Sequence, residues 1–246
     1  KKIDLQIKAL LKSIDVSFEE GGHSADNLEW ADEIIISPGI SEKVEFIQLA
    51  KKNGIPVFSE IEFAARFTTK NIIAITGTNG KTTTSTLLYH ILKNANLNPR
   101  LCGNIGVSFS EVLATNPGDL YVLEVSSFQL EHIFHFKPKI SILLNLSVDH
   151  LDRYNYKEED YFNTKMLIQS NQDQMDSFIY LNDDKNIRSR LKENNKQKLF
   201  PFGSINENGN ISAWIENNKL IINHNKNFFT MLLHEMALQG KHNVYN

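Results

Sequence analysis

Asn71-Ile72-Ile73-Ala74-Ile75-Thr76-Gly77-Thr78-Asn79-Gly80-Lys81-Thr82-Thr83 is the stretch on which the reading of this chain turns. An apolar run of strand length passes into a turn with two glycines. A Gly-Lys-Thr step then opens a segment that carries Leu87, Leu88, Ile91 and Leu92 at helical spacing. Strand, glycine turn and helix in this order are the setting of a nucleotide phosphate loop. Gly77 and Gly80 permit tight backbone turns, so successive N–H groups, those of Thr78 and Asn79 among them, can point inward at phosphate oxygens. The helix N-terminus adds the positive end of its dipole. Lys81 would neutralise β- and γ-phosphates, and the Thr82 hydroxyl would ligate Mg²⁺. The loop departs from the common G-x-x-x-x-G-K-[ST] pattern, because Ile75 stands where its first glycine would fall. A tight turn before a capped helix with an incidental lysine is the competing reading, and the flanking strand and helix weigh against it.

Outward from the loop, the chain alternates strands and helices. Upstream, a buried strand over 32–37 stops at Pro38-Gly39, a helix with Ser41 as N-cap follows, and Ile55-Pro56-Val57-Phe58 is the next strand. A helical piece runs from Ile61 to Phe67, and Thr68-Thr69-Lys70 is a connector. Downstream, strands are expected at 72–75, 120–125, 140–146 and 178–181, and helices over about 82–95 and 158–170. From Asn194 to Asn227, asparagine clusters separate short β-type runs, which implies antiparallel hairpins at a sheet edge. The expected class is α/β: one parallel α/β layer before the connector, then a phosphate-loop series with a mainly parallel sheet and a small antiparallel edge.

Composition narrows the function. At 246 residues the chain exceeds one ordinary domain of about 150 residues. Twenty-six basic against 29 acidic residues leave no cationic excess for a nucleic-acid backbone, so no nucleic-acid partner is expected. The single cysteine, Cys102, permits neither an internal disulfide nor a Cys-rich zinc site, and a buried apolar role is expected for it. No apolar run reaches the roughly 20 residues of a membrane span, and no secretory leader is visible. A cytoplasmic, monomeric protein without a membrane partner is expected. The start at Lys1-Lys2 and the stop in mid-pattern at Asn246 suggest a fragment.

Chemistry-bearing residues cluster at the ends of the expected strands. Glu124 ends the apolar run Leu120 to Leu123, and a buried carboxylate is costly unless a cation or donors satisfy it. Carboxyl ends of parallel strands are where open α/β sheets bind ligands, and Mg²⁺ prefers oxygen, so Glu124 is a natural metal ligand. A cap for the following helix is the alternative. Asp149-His150-Leu151-Asp152-Arg153 follows another apolar strand, and that position raises His150 above an ordinary surface histidine. Asp149, Asp152 and Arg153 could equally form a salt-bridged turn. Lys165, on sequence alone, is an ordinary helical lysine.

Taken in order, Gly77-Thr78-Asn79-Gly80-Lys81-Thr82-Thr83, Gly103-Asn104-Ile105-Gly106, Glu124-Val125-Ser126-Ser127-Phe128-Gln129-Leu130-Glu131, Asp149-His150-Leu151-Asp152-Arg153-Tyr154 and Leu238-Gln239-Gly240-Lys241-His242-Asn243-Val244-Tyr245-Asn246 resemble the Mur ligases of peptidoglycan synthesis. The resemblance runs from Ile34 onward and is strongest from Ile72 to Tyr154. The Ser-Ser-Phe-Gln-Leu-Glu and Asp-His-Leu-Asp-Arg-Tyr segments resemble the branch that adds D-glutamate to UDP-N-acetylmuramoyl-L-alanine. The resemblance implies three domains, of which this chain would hold part of the Rossmann-like first (1–69), nearly all of the ATP-binding second (70–246) and none of the third. It implies an ATP- and Mg²⁺-dependent amide ligase that works through an acyl phosphate, and the 246 residues alone are expected to give no ligation. By the family pattern, Gly77 to Thr83 hold ATP phosphates, and Asn243 and Asn246 face adenine. Thr82, Glu124, His150 and Lys165 serve metal, Lys165 as a carbamate, and Lys81, Lys165 and His150 are catalytic. Ser37, Gly39, Asn104, Ser126, Gln129 and His150 contact the UDP-muramoyl substrate. Another Mur ligase, a folylpolyglutamate synthetase and a nucleotide-binding module are the competing readings; a generic phosphate-loop GTPase lacks support, since no guanine-specificity motif is present.

Overall fold

The run Ile72 to Thr76 is apolar almost without alternation, and such a strand must be covered on both faces. A computed structural model, which describes residues 2–206 and 209–236, places it at the heart of a nine-stranded sheet. In chain order the elements are α1 (Leu5–Ser13), β1 (Ile34–Ile36), α2 (Glu45–Lys52), β2 (Val57–Ser59), α3 (Glu60–Ala65), β3 (Asn71–Thr76), α4 (Lys81–Asn94), β4 (Pro99–Gly103), α5 (Phe109–Thr115), β5 (Leu120–Glu124), α6 (Ser127–Leu130), β6 (Ile140–Leu143), α7 (Glu158–Met166), β7 (Ser177–Leu181), α8 (Lys185–Arg188), β8 (Lys198–Phe202), β9 (Ala213–Glu216), β10 (Lys219–His224) and β11 (Asn227–Leu232).

The chain divides into two compact units, residues 1–58 and 59–246. The first carries the two-stranded β1–β2 sheet and a small core of Leu28, Ile36, Ile47, Ala50 and Val57. Its helix α2 starts later than the Ser41 cap implies. The Ser41 hydroxyl accepts from the Lys43 amide at 3.2 Å and closes a local turn, so the helix begins at Glu45 behind Val44, which makes no side-chain cap.

In the second unit the strand order is β11-β10-β9-β8-β7-β6-β3-β5-β4. Every pairing from β4 to β9 is parallel, and β9, β10 and β11 pair antiparallel. The mainly parallel α/β sheet with a small antiparallel edge is thus as expected. The join between the two regimes is thin: β8 and β9 share one registered pair, Phe202 with Ala213. Helix α4 presents Leu88 and Leu92 to a core of Ile75, Val122 and Leu144, whereas Ile91, expected on the same face, is exposed. Cys102 is fully buried in β4, and burial first, with Glu60 adding, pushes its thiol up to about 12.

The division falls at Phe58, ahead of the connector at 68–70, because α3 belongs to the second unit. Glu62 on α3 is buried, and its carboxylate accepts from three successive amides, those of Phe134 (2.9 Å), His135 (3.0 Å) and Phe136 (2.7 Å).

Candidate active site

The phosphate loop begins where β3 ends. Gly80, at φ +84°, takes the left-handed conformation that starts α4, and Thr84 closes the first helical turn by donating to its carbonyl at 2.9 Å. Thr82 and Thr83 lie in that first turn. Lys81 Nζ donates to the Gly77 and Thr78 carbonyls at 3.0 Å each. Burial lowers the Lys81 amine, and the charges of Glu124 and Asp149 work the other way. The ammonium therefore stands among anionic groups at the mouth of the loop.

Two of the loop amides do not point where the sequence suggests. Thr78 N–H donates to the Asn145 carbonyl at 3.1 Å and Asn79 N–H to the Asn145 side-chain oxygen at 2.9 Å. Phosphate would be met by the amides from Gly80 onward.

Glu124 is buried at the carboxyl end of β5. One carboxylate oxygen accepts from the Thr82 hydroxyl at 2.8 Å, the other from Asn104 Nδ2 at 2.8 Å. Thr82 and Glu124 therefore converge two oxygen donors at the head of α4, a pairing suited to Mg²⁺, which takes few protein ligands and keeps its waters or phosphates. Among the described residues no group of three or more His, Cys, Asp or Glu side chains converges. Asn104 follows Gly103, whose φ of +103° and tight packing leave no room for a side chain: a Cβ there would lie 2.5 Å from the Glu124 carbonyl oxygen. Gly103→Ala is expected to lower stability by about 2 kcal/mol. A melting midpoint equal to that of the unsubstituted chain would show that the end of β4 can shift freely.

Lys165, which sequence alone leaves as a surface lysine, is only 2% exposed. Its Nζ donates to the Gly77 carbonyl at 3.0 Å and lies 4.9 Å from the centre of the Tyr161 ring. Burial, with Lys81 adding, brings its amine down to about 7. Lys81 and Lys165 thus share one carbonyl oxygen. Asp149, read from sequence only as a candidate member of a salt-bridged turn, acts electrostatically on both lysines.

His150 is placed differently. It lies on the segment after β6 with φ +49°, contacts Asp149 at 3.5 Å and packs against Phe128 with ring centres 5.2 Å apart. Among the described residues no hydrogen bond joins it to Thr82, Glu124 or Lys165. Arg153 pairs with Glu131 at 2.6 Å and lies over Phe128. Ser126 and Gln129 form the capping box of α6: the Ser126 hydroxyl accepts from the Gln129 amide, and the Gln129 side chain accepts from the Ser126 amide at 3.0 Å. In the first unit, Ser37 lines a cavity of about 240 Å³ with Ile36 and Ile40, and Gly39 lies in the turn after β1. Asn243 and Asn246 lie outside the described residues.

Asn145 and Tyr161 were not singled out from sequence. Asn145 interrupts an apolar run, the one signal available, and Tyr161 reaches the Thr78 hydroxyl at 3.4 Å only through the fold.

Residues 75–246 match the Mur ligase middle domain, and residues 1–46 match the MurD N-terminal domain. The UDP-N-acetylmuramoylalanine--D-glutamate ligase of Christiangramia forsetii is 46% identical over 245 residues, which are 100% of this chain and 55% of that protein. The ligase of the same name from Bacteroides fragilis is 43% identical over 97% of this chain and 54% of its own length. The chain thus spans about half the length of the curated relatives it matches. Among solved structures, UDP-N-acetylmuramate:L-alanyl-gamma-D-glutamyl-meso-diaminopimelate ligase from Neisseria meningitides superposes with a TM-score of 0.60 at 16% identity, over 99% of this chain and 80% of that one, a likeness of fold.

Proposed function

This chain belongs to the Mur ligase family, and on that premise we propose that it is the nucleotide-handling part of an ATP-dependent ligase joining D-glutamate to UDP-N-acetylmuramoyl-L-alanine. The observation that carries the reading is the convergence of Lys81, Thr82, Glu124 and Lys165 on one loop at the carboxyl ends of β3 and β5. A carboxylate that attacks a γ-phosphate must approach another anion, and the barrier is largely electrostatic. Lys81 supplies a fixed positive charge against that repulsion. Thr82 and Glu124 would hold Mg²⁺, which when bound supplies the remaining neutralisation.

Lys165 fits the carbamate role. A lysine buried enough to titrate near 7 offers a neutral amine to CO₂, and the product is an anionic oxygen ligand beside the phosphate loop. His150 would complete a second metal site with it. Asn104, Ser126 and Gln129 would face the muramoyl-alanine part, Ser37 and Gly39 its UDP side, and Asn243 and Asn246 the adenine. A cytoplasmic monomer is the expected form, and no helix of the described residues is long and apolar enough to cross a membrane.

The test is phosphate release by the longer protein that contains this chain, with ATP, UDP-N-acetylmuramoyl-L-alanine and a panel of amino acids. Release should require D-glutamate and disappear in Lys81→Ala. Equal stimulation by another amino acid, or by a folate with L-glutamate, would reject the assignment.

A further inference from the structure

The segment after β6 does more than lead to Asp149 and His150. Asn145 addresses the Asn79 peptide from both sides. Its Oδ1 accepts from Asn79 N–H at 2.9 Å, and its Nδ2 donates to the Asn79 carbonyl at 3.0 Å. Its own carbonyl accepts from Thr78 N–H at 3.1 Å. Two residues on, Ser147 exchanges a pair with the Thr78 hydroxyl, donating through its amide at 3.0 Å and accepting at its carbonyl at 2.9 Å. The phosphate loop is therefore zipped to residues 145–147, and one side chain supplies the central clasp.

We propose that Asn145 is a positioning residue for nucleotide: by occupying the Thr78 and Asn79 amides it fixes the loop so that the amides from Gly80 onward and the Lys81 side chain meet the phosphates. The inference rests on the nucleotide reading above. It assigns no contact between Asn145 and the ligand. Asn79 is exposed and its side chain reaches Ser147 Oγ only at 3.5 Å, so without the clasp its carbonyl loses its donor and can turn toward the anion. Because residues 145–147 continue directly into Asp149 and His150, the same clasp fixes the distance from the loop to those two side chains.

The experiment is titration of this chain and two variants with Mg²⁺ and a non-hydrolysable ATP analogue, alongside melting of the unliganded proteins. Asn145→Ala should weaken binding by about tenfold, the cost of a loop that is binding-competent about a tenth of the time, and, because the two bonds it removes exist without ligand, should also lower the unliganded melting temperature. Asn145→Asp keeps the acceptor for Asn79 N–H but sets a carboxylate against the Asn79 carbonyl, and should lose at least as much. A role confined to stability would lower melting and leave the affinity of the folded protein unchanged, and affinity within about twofold of the parent would overturn the inference. Should the variants not fold, amide exchange in the parent chain decides: slow exchange at Asn79 supports the clasp, and exchange as fast as at an open turn overturns it. Absence of binding by the parent chain would sink the nucleotide reading and this inference together, whereas parent-like binding by Asn145→Ala would sink this inference alone.

Discussion

Glu62→Ala is expected to cost about 4 kcal/mol of stability, enough to unfold much of the population at moderate temperature. The carboxylate is 1% exposed and serves as the common acceptor for the amides of Phe134, His135 and Phe136. Removing it withdraws a shared charged acceptor from three backbone donors, of which the Phe136 amide is buried, and a hydrogen bond to a charged group is worth about 1.5–3 kcal/mol. Glu62→Gln should fall between parent and alanine, because an amide offers one acceptor oxygen and opposes a donor to the remaining N–H. Urea unfolding of the three proteins measures the difference. A loss below about 1 kcal/mol for alanine would mean that residues 134–136 rearrange to find other acceptors. The effect should be on stability first, since Glu62 touches none of the loop residues.

The second large effect concerns Lys165 and pH. Unfolded, its amine keeps its proton up to about pH 10, whereas in the folded chain burial brings it down to about 7. Between those values the unfolded chain binds one more proton than the folded chain, so stability should rise with pH across that window, by about 4 kcal/mol in total. Below the folded value both states are protonated, and the fold carries the full cost of a buried ammonium beside Lys81. Lys165→Met should abolish the rise and, at pH 6, stabilise the chain by about 3 kcal/mol after the lost bond to the Gly77 carbonyl is counted. Urea unfolding at pH 6 and pH 9.5 in CO₂-free buffer measures both. Identical pH dependence in parent and variant would show that the amine is solvated in solution. If Lys165 has the role proposed above, the same substitution should abolish D-glutamate-dependent phosphate release by a longer protein containing this chain, so stability and catalysis are expected to move in opposite directions.

The strand and helix that flank the loop were legible because their signals are local. Ile72 to Thr76 is apolar enough to demand a central place, and the Gly-Lys-Thr step marks the start of α4 whatever surrounds it. The β4 strand was not legible: Pro99-Arg100-Leu101-Cys102-Gly103 has neither alternation nor a continuous apolar run, and only pairing with β5 makes it a strand. The last strand, β11, escaped for a similar reason, since its Phe228 and Phe229 are exposed. In the site, Glu124 declared itself through the contrast between a carboxylate and its apolar strand. Lys165 declared nothing, because the difference between a buried and an exposed helical lysine lies in what packs on it, here Tyr161 and the Gly77 carbonyl. Asn145 was silent for the same reason. Its importance comes from a peptide 66 positions away in the chain, a relation that no spacing rule detects.

The placement of β3 between β5 and β6 also governs the order in which this protein acquires its parts. Hairpins such as β9–β10–β11 join neighbours in sequence and can close within microseconds. The partners of β3 arrive only after long intervening segments have been gathered, and that loop-closure entropy is spent before any parallel ladder repays it. The proposed nucleotide grip would depend on Glu124 from one of those partners and Asn145 from beyond the other. On that reading, ligand affinity is a late property of the folding chain, acquired when its longest-range pairings are already in place.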